Sequence, residues 1–135
     1  FTIWNSKVLV IGNGKVGKIL AGRLKALGAD VTVSARKQSD FAYIKAQNES
    51  FIKTCDVQSL TKNFDLIFNT VDAQIYSNLS PLKNKVLIDV STDGCLDFYK
   101  AKEENIKAYK LPGIPGKTAP ETAGKILAET IMQLT

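Results

Sequence analysis

Histidine is absent from the 135 residues of this chain. That removes the commonest general acid–base and the commonest zinc ligand from the segment, so any proton transfer here falls to Lys, Tyr, Asp or Glu. Cysteine is scarce. Cys55 and Cys95 stand alone, with no C-x-x-C pair and no framework of spacings, which excludes a disulfide-built fold. Two reduced thiols in a cytoplasmic protein are expected, and no metal site. No apolar run approaches the ~20 residues needed to span a bilayer, and no signal peptide is visible, so no membrane partner is expected. Methionine occurs once, at Met132, and the chain begins at Phe1. The expectation is a piece of a longer two-domain protein, with a further domain ahead of Phe1.

What is present reads as one soluble globular domain. Hydrophobic residues make up 44% and charged residues 23%, and the chain is long enough to bury a core. The net charge of +5 comes from 18 basic and 13 acidic residues. Such an excess suits a phosphate-bearing ligand. No basic block is interleaved with aromatics, so nucleic acid is not an expected partner.

The patterning alternates between strand and helix. Lys7 to Ile11 is a short apolar run ending at a glycine, the signature of a strand buried on both faces. Val16, Ile19, Leu20, Leu24 and Leu27 then recur at helical spacing from Lys15 to Leu27, and Gly28 supplies a left-handed stop. Asp30 to Ser34 reads as a second strand, with Val31 and Val33 on one face. A helix over Phe41 to Gln47 is expected to be capped by Ser39 or Asp40, and Ser50 to Thr54 is a weaker strand, with Asp56 as cap of a short helix. The second half repeats the pattern: strand at Asp65 to Phe68, short helix or turn at Ala73 to Leu79, strand at Val86 to Val90. A helix at Leu96 to Asn105 and an edge strand at Ile106 to Lys110 follow. Thr118 and Glu121 have capping-box spacing, with Pro120 between them, before a stripe of Ala123, Ile126, Leu127, Ile131 and Leu134. The expected fold is α/β, a doubly wound parallel sheet of the Rossmann type with strand order 3-2-1-4-5-6 over residues 1–135.

Gly12-Asn13-Gly14-Lys15-Val16-Gly17 is G-x-G-x-x-G between the first strand and the first helix. Gly12 permits the tight turn, Gly14 lets backbone approach a pyrophosphate, and Gly17 lets helix and strand pack closely. The amides of Lys15 and Val16 then point at phosphate oxygens at the positive end of the helix. The alternative is a glycine turn that serves structure alone. At the end of the second strand an NAD site wants a carboxylate for the ribose 2′-OH. Here stand Ser34, Ala35, Arg36 and Lys37, which favour a 2′-phosphate and hence NADP over NAD. Arg36 and Lys37 as solvated loop charges are the other reading. Asn69, Thr70 and Val71 follow the fourth strand and are cofactor contacts by position, as is Val90 after the fifth. Asp72 is either a helix cap or a group facing substrate. Ser91 and the stiff loop Leu111-Pro-Gly-Ile-Pro-Gly-Lys117 are substrate candidates, with Pro112, Gly113 and Lys117 suited to hold a carboxylate. The same loop also fits a purely structural connector.

The run from Phe1 to Gly12, the Ala35-Arg36 pair, Asn69-Thr70 and above all Leu111-Pro-Gly-Ile-Pro-Gly-Lys-Thr-Ala-Pro-Glu-Thr-Ala-Gly-Lys-Ile-Leu127 resemble the A subunit of dipicolinate synthase. The resemblance covers essentially the whole chain, and its Pro-Gly loop is more specific than the glycine fingerprint. It implies a sporulation oxidoreductase of the mother-cell cytoplasm that oxidises a dihydrodipicolinate-type product to dipicolinate, a small dicarboxylate, with NADP as hydride acceptor. It further implies an N-terminal domain and, as partner, a B subunit. An assembly of identical subunits is expected, and the present domain alone is expected to bind cofactor without turnover. Two other readings stand beside it: a two-domain NAD(P) dehydrogenase similar to shikimate or methylene-tetrahydrofolate dehydrogenases, and a regulatory nucleotide-binding module without catalysis. The carboxylate that such regulatory modules usually keep at the second strand's end is replaced here by Ser34-Ala35-Arg36.

Overall fold

The computed structural model describes residues 3–111. Its strands are β1 (Lys7–Ile11), β2 (Asp30–Ala35), β3 (Ser50–Lys53), β4 (Leu66–Asn69), β5 (Val86–Asp89) and β6 (Lys107–Lys110). All pair in parallel, in the order β3-β2-β1-β4-β5-β6. The doubly wound α/β fold expected from strand–helix alternation is therefore the one observed.

Side chains alternate along β1 and divide the core in two. Val8 and Val10 join the cluster beneath helices α1 (Lys15–Ala26) and α2 (Gln38–Ala46). Leu9 and Ile11 join the opposite cluster, under α3 (Val57–Leu60) and α4 (Phe98–Glu103). A strand with every second residue in a different core must be apolar throughout, which is why the run from Val8 to Ile11 carries no polar residue. Leu20 and Leu24 of α1 are fully buried, each contributing on the order of 1.5–3 kcal/mol. The chain turns left-handed after α1 at Gly28 (φ 91°), and Asn48 (φ 56°) and Asn105 (φ 57°) do the same after α2 and α4.

Several elements depart from expectation. Helix α2 begins at Gln38, with Lys37 as its N-cap and no side chain capping it, so Ser39 and Asp40 lie inside the first turn. Residues 73–79 form no helix; the first helical turn after β4 is a 3₁₀ turn at Ser80–Leu82. Strand β3 stops at Lys53, and Thr54–Asp56 is a 3₁₀ turn ahead of α3, where Asp56 is the N-cap residue but makes no capping bond. Helix α4 is shorter than expected because Asp97 caps it, accepting from the amides of Tyr99 and Lys100 at 3.0 and 3.2 Å. The helix expected after Thr118 and the Pro-Gly loop beyond Leu111 fall outside the described residues. Among the described residues no helix is long and apolar enough to cross a membrane.

Candidate functional site

Because every strand runs the same way, the carboxyl ends of β1, β2 and β4 gather at one edge. The chain order reverses there between β1 and β4, opening a crevice that loops from both halves can line.

The three fingerprint glycines have three different neighbourhoods. Gly12 has φ 108°, and a side chain there would strike Thr70 Oγ1 and Val71 Cγ1. Thr70 is fixed in turn, donating from Oγ1 to the Ile11 carbonyl at 2.8 Å. Gly17 is buried, and a Cβ would run into the Gly12 carbonyl. These two glycines are demanded by packing within the chain. Gly14 is not: it is exposed, its φ is −78°, and a Cβ there would meet nothing within 4 Å. It is the N-cap of α1, no side chain caps that helix, and no acid stands in its first turn. The opening amides of α1, at Lys15 and Val16, are thus left at the helix's positive end with space in front of them.

A groove of about 420 Å³ lies over this turn, lined among others by Gly12, Gly14, Arg36, Lys37, Asp40 and Val71. Asp40 reaches it from α2, where its Oδ1 accepts from Asn13 Nδ2 at 3.0 Å. Sequence alone suggests a helix cap at Asp40; the side chain is instead a strut between the glycine turn and α2. A second groove of about 590 Å³ shares Ala35, Arg36 and Thr54 with the first and continues past Gln38 and Lys53 to Ile75.

At the end of β2, Ser34 is fully buried and its hydroxyl has no partner among the described residues. It lines neither groove, because the strand runs one residue further, to Ala35. Ala35 is also buried but lines both grooves, and Arg36 and Lys37 are exposed. Among the described residues no hydrogen bond or ion pair occupies the Arg36 guanidinium. Sequence reasoning misses Lys53 and Thr54. Parallel register places Lys53 beside Ala35, and only that pairing brings β3 to the site.

The ends of β4 and β5 form a buried polar knot. Asp89 accepts from Ser91 N at 2.8 Å, Ser91 Oγ at 2.6 Å, Asn69 Nδ2 at 3.1 Å and Cys95 N at 2.9 Å. Asn69 also donates to the Val71 carbonyl at 2.8 Å. Asn69 and Ser91 are both buried here, so they shape the loops that carry Thr70, Val71 and half-buried Val90 to the edge. Asp72 caps no helix; its Oδ1 accepts from Asp93 N at 2.8 Å, tying the loops after β4 and β5 together on one side of the crevice. Burial, followed by the charge of Asp89, pushes the Cys95 thiol far above its ordinary range. Burial likewise pushes up Tyr76, whose hydroxyl lies 2.6 Å from Thr61 Oγ1. Pro112, Gly113 and Lys117 lie outside the described residues.

Comparison with known proteins agrees with this geometry. Residues 7–93 match the family described as NADP oxidoreductase, coenzyme F420-dependent. The dipicolinate synthase A subunit of Bacillus subtilis (strain 168) is 38% identical over 138 residues, covering 99% of this chain and 46% of that relative. The crystal structure of the Bacillus subtilis protein superposes with a TM-score of 0.80 at 35% identity, covering 99% of this chain and 46% of that one. Its counterpart from Bacillus halodurans gives 0.78 at 34% identity, covering 99% and 47%. The chain thus spans about half the length of the relatives it matches, and the resemblance read from the Pro-Gly loop and strand ends is borne out.

Proposed function

The chain belongs to the family described as NADP oxidoreductase, coenzyme F420-dependent, and from that premise we propose that it is the cofactor-binding domain of an NADP-dependent oxidoreductase of the dipicolinate synthase type. The observation that carries the reading is Gly14. A glycine with no internal need to be one, capping a helix whose first amides face open space, leaves room for a ligand's backbone-hugging group. A pyrophosphate fits that place by charge and by size.

In this reading the amides of Lys15 and Val16 hold the pyrophosphate, with Asn13 kept in position by Asp40. The exposed cations at the end of β2 take the 2′-phosphate of the adenosine ribose. Thr70, Val71 and Val90 border the nicotinamide end, their loops stiffened by the Asp89 knot. A bound oxidised nicotinamide supplies a hydride acceptor. A dihydrodipicolinate-type substrate, losing a hydride and a proton, becomes an aromatic pyridine dicarboxylate. Its carboxylates call for positive charge rather than a metal ion, and Lys117, Pro112, Gly113 and Ser91 remain the residues we assign to the substrate. The reading carries with it a second domain, a B subunit, identical copies assembled together and a place in the mother-cell cytoplasm.

Calorimetric titration with NADPH and NADH, on the parent and on Arg36→Ala, tests it. The expected result is NADPH binding tighter by about tenfold or more, ~1.4 kcal/mol, with the margin lost in Arg36→Ala. Equal affinities for the two cofactors would sink the NADP assignment, and binding of neither would sink the nucleotide reading.

A further inference from the structure

The two grooves that meet at Arg36 differ in charge. The one over the glycine turn contains Lys37 together with the carboxylates of Asp40 and Asp72. The one beyond Arg36 contains Lys53 and no carboxylate among its described lining residues. A dianionic phosphate beside Arg36 can turn either way, and only the second direction spares it a like charge.

Backbone geometry reinforces that direction. Ala35 and Lys53 are register partners on adjacent parallel strands, which lie roughly 4.8 Å apart. Phe51 precedes Lys53 by two residues, so both project from the same face. Phe51 stacks on Phe41 of α2 with ring centroids 4.7 Å apart. That stack fixes the end of β3 against α2 and sets the face from which Lys53 projects. Thr54, next in the chain, lines both grooves. Lys53 is exposed and, like the Arg36 guanidinium, its ammonium has no hydrogen bond or ion pair among the described residues. Lys37 serves differently: as the N-cap residue of α2 it stands at the helix's positive end, on the side shared with Asp40.

We propose that Arg36 and Lys53, not Arg36 and Lys37, form the clamp for the 2′-phosphate, with the phosphate seated on the β3 side of the end of β2. This rests on the NADP reading above and deepens it, making Lys53 a specificity-determining residue that sequence order alone conceals. The guanidinium gives a planar fork and the ammonium a mobile point charge, and Thr54 lines the same groove. The nicotinamide and pyrophosphate are bound elsewhere, so the clamp acts on the choice between cofactors and not on the reacting atoms.

The test is equilibrium binding of NADPH, NADH and 2′-AMP to the intact protein and to Lys53→Ala, Lys37→Ala and Arg36→Ala. Lys53→Ala is expected to weaken NADPH and 2′-AMP by about tenfold, the effect of one lost charge-assisted hydrogen bond. NADH binding stays unchanged and so reports that the variant is folded. Lys37→Ala is expected to leave all three ligands near parental affinity. If Lys53→Ala keeps the full NADPH preference while Arg36→Ala loses it, the clamp is wrong and the NADP reading survives. Equal losses in Lys37→Ala and Lys53→Ala overturn the seating on the β3 side. A parent that does not prefer NADPH to NADH removes the NADP reading and this inference together.

Discussion

A methyl group placed at Gly17 would meet the Gly12 carbonyl, whereas the same methyl at Gly14 meets nothing. The two substitutions to alanine are therefore expected to separate stability from binding. Gly17→Ala should lose on the order of 1–3 kcal/mol in urea unfolding, the usual cost of forcing atoms into a filled space. Gly14→Ala should lose no more than about 1 kcal/mol, as its φ suits any residue and alanine is merely a poor N-cap. NADPH titration should nonetheless show Gly14→Ala weakened by about tenfold or more, because its methyl occupies ligand space. A Gly14→Ala variant that binds as well as the parent would return the turn to structure alone. The glycine pattern itself is readable along the chain, since it depends on local spacing. Which glycine serves the ligand is not, because the atoms that crowd Gly12 and Gly17 belong partly to Thr70 and Val71, far along the chain.

Elements are legible in the sequence more reliably than their ends. The strands β1 and β5 declare themselves through unbroken or nearly unbroken apolar runs, a direct consequence of burial on both faces, while β2 alternates Val31 and Val33 with Thr32 and Ser34. Helix ends depend on single hydrogen bonds and are harder. Asp97 caps α4 through the Tyr99 and Lys100 amides; Asp97→Ala should cost about 1 kcal/mol, read as a lower thermal midpoint with NADPH affinity unchanged. By contrast α2 starts without any side-chain cap, and the aspartate one would choose, Asp40, bonds Asn13 instead. Propensity assigns Asp40 to the helix it belongs to; tertiary contact gives it to the glycine turn. Likewise the polar segment at 73–79, apolar only at intervals, is held by contacts to distant partners: the amides of Ile75 and Tyr76 both donate to the Cys95 carbonyl, at 2.8 and 3.0 Å. Nothing in its own residues announces that.

At the scale of the molecule the two thiols offer a probe of both folding and site. Cys95 is fully buried and Cys55 is exposed beside the groove that holds Arg36 and Lys53. A thiol reagent should modify Cys55 quickly in the native protein and Cys95 only at the rate of opening, with both reacting at once in denaturant. Saturating NADPH should slow the Cys55 reaction, and an unchanged Cys55 rate under saturation would remove the ligand from that groove. The succession of strands and helices, the glycine turn and the cationic end of β2 were set by the order of residues, because each is a matter of neighbours along the chain. Parallel strand pairing decided the rest. It buried Ser34 and Asn69, brought Asp40 to Asn13 and set Lys53 beside Ala35, since register couples residues that local sequence holds far apart.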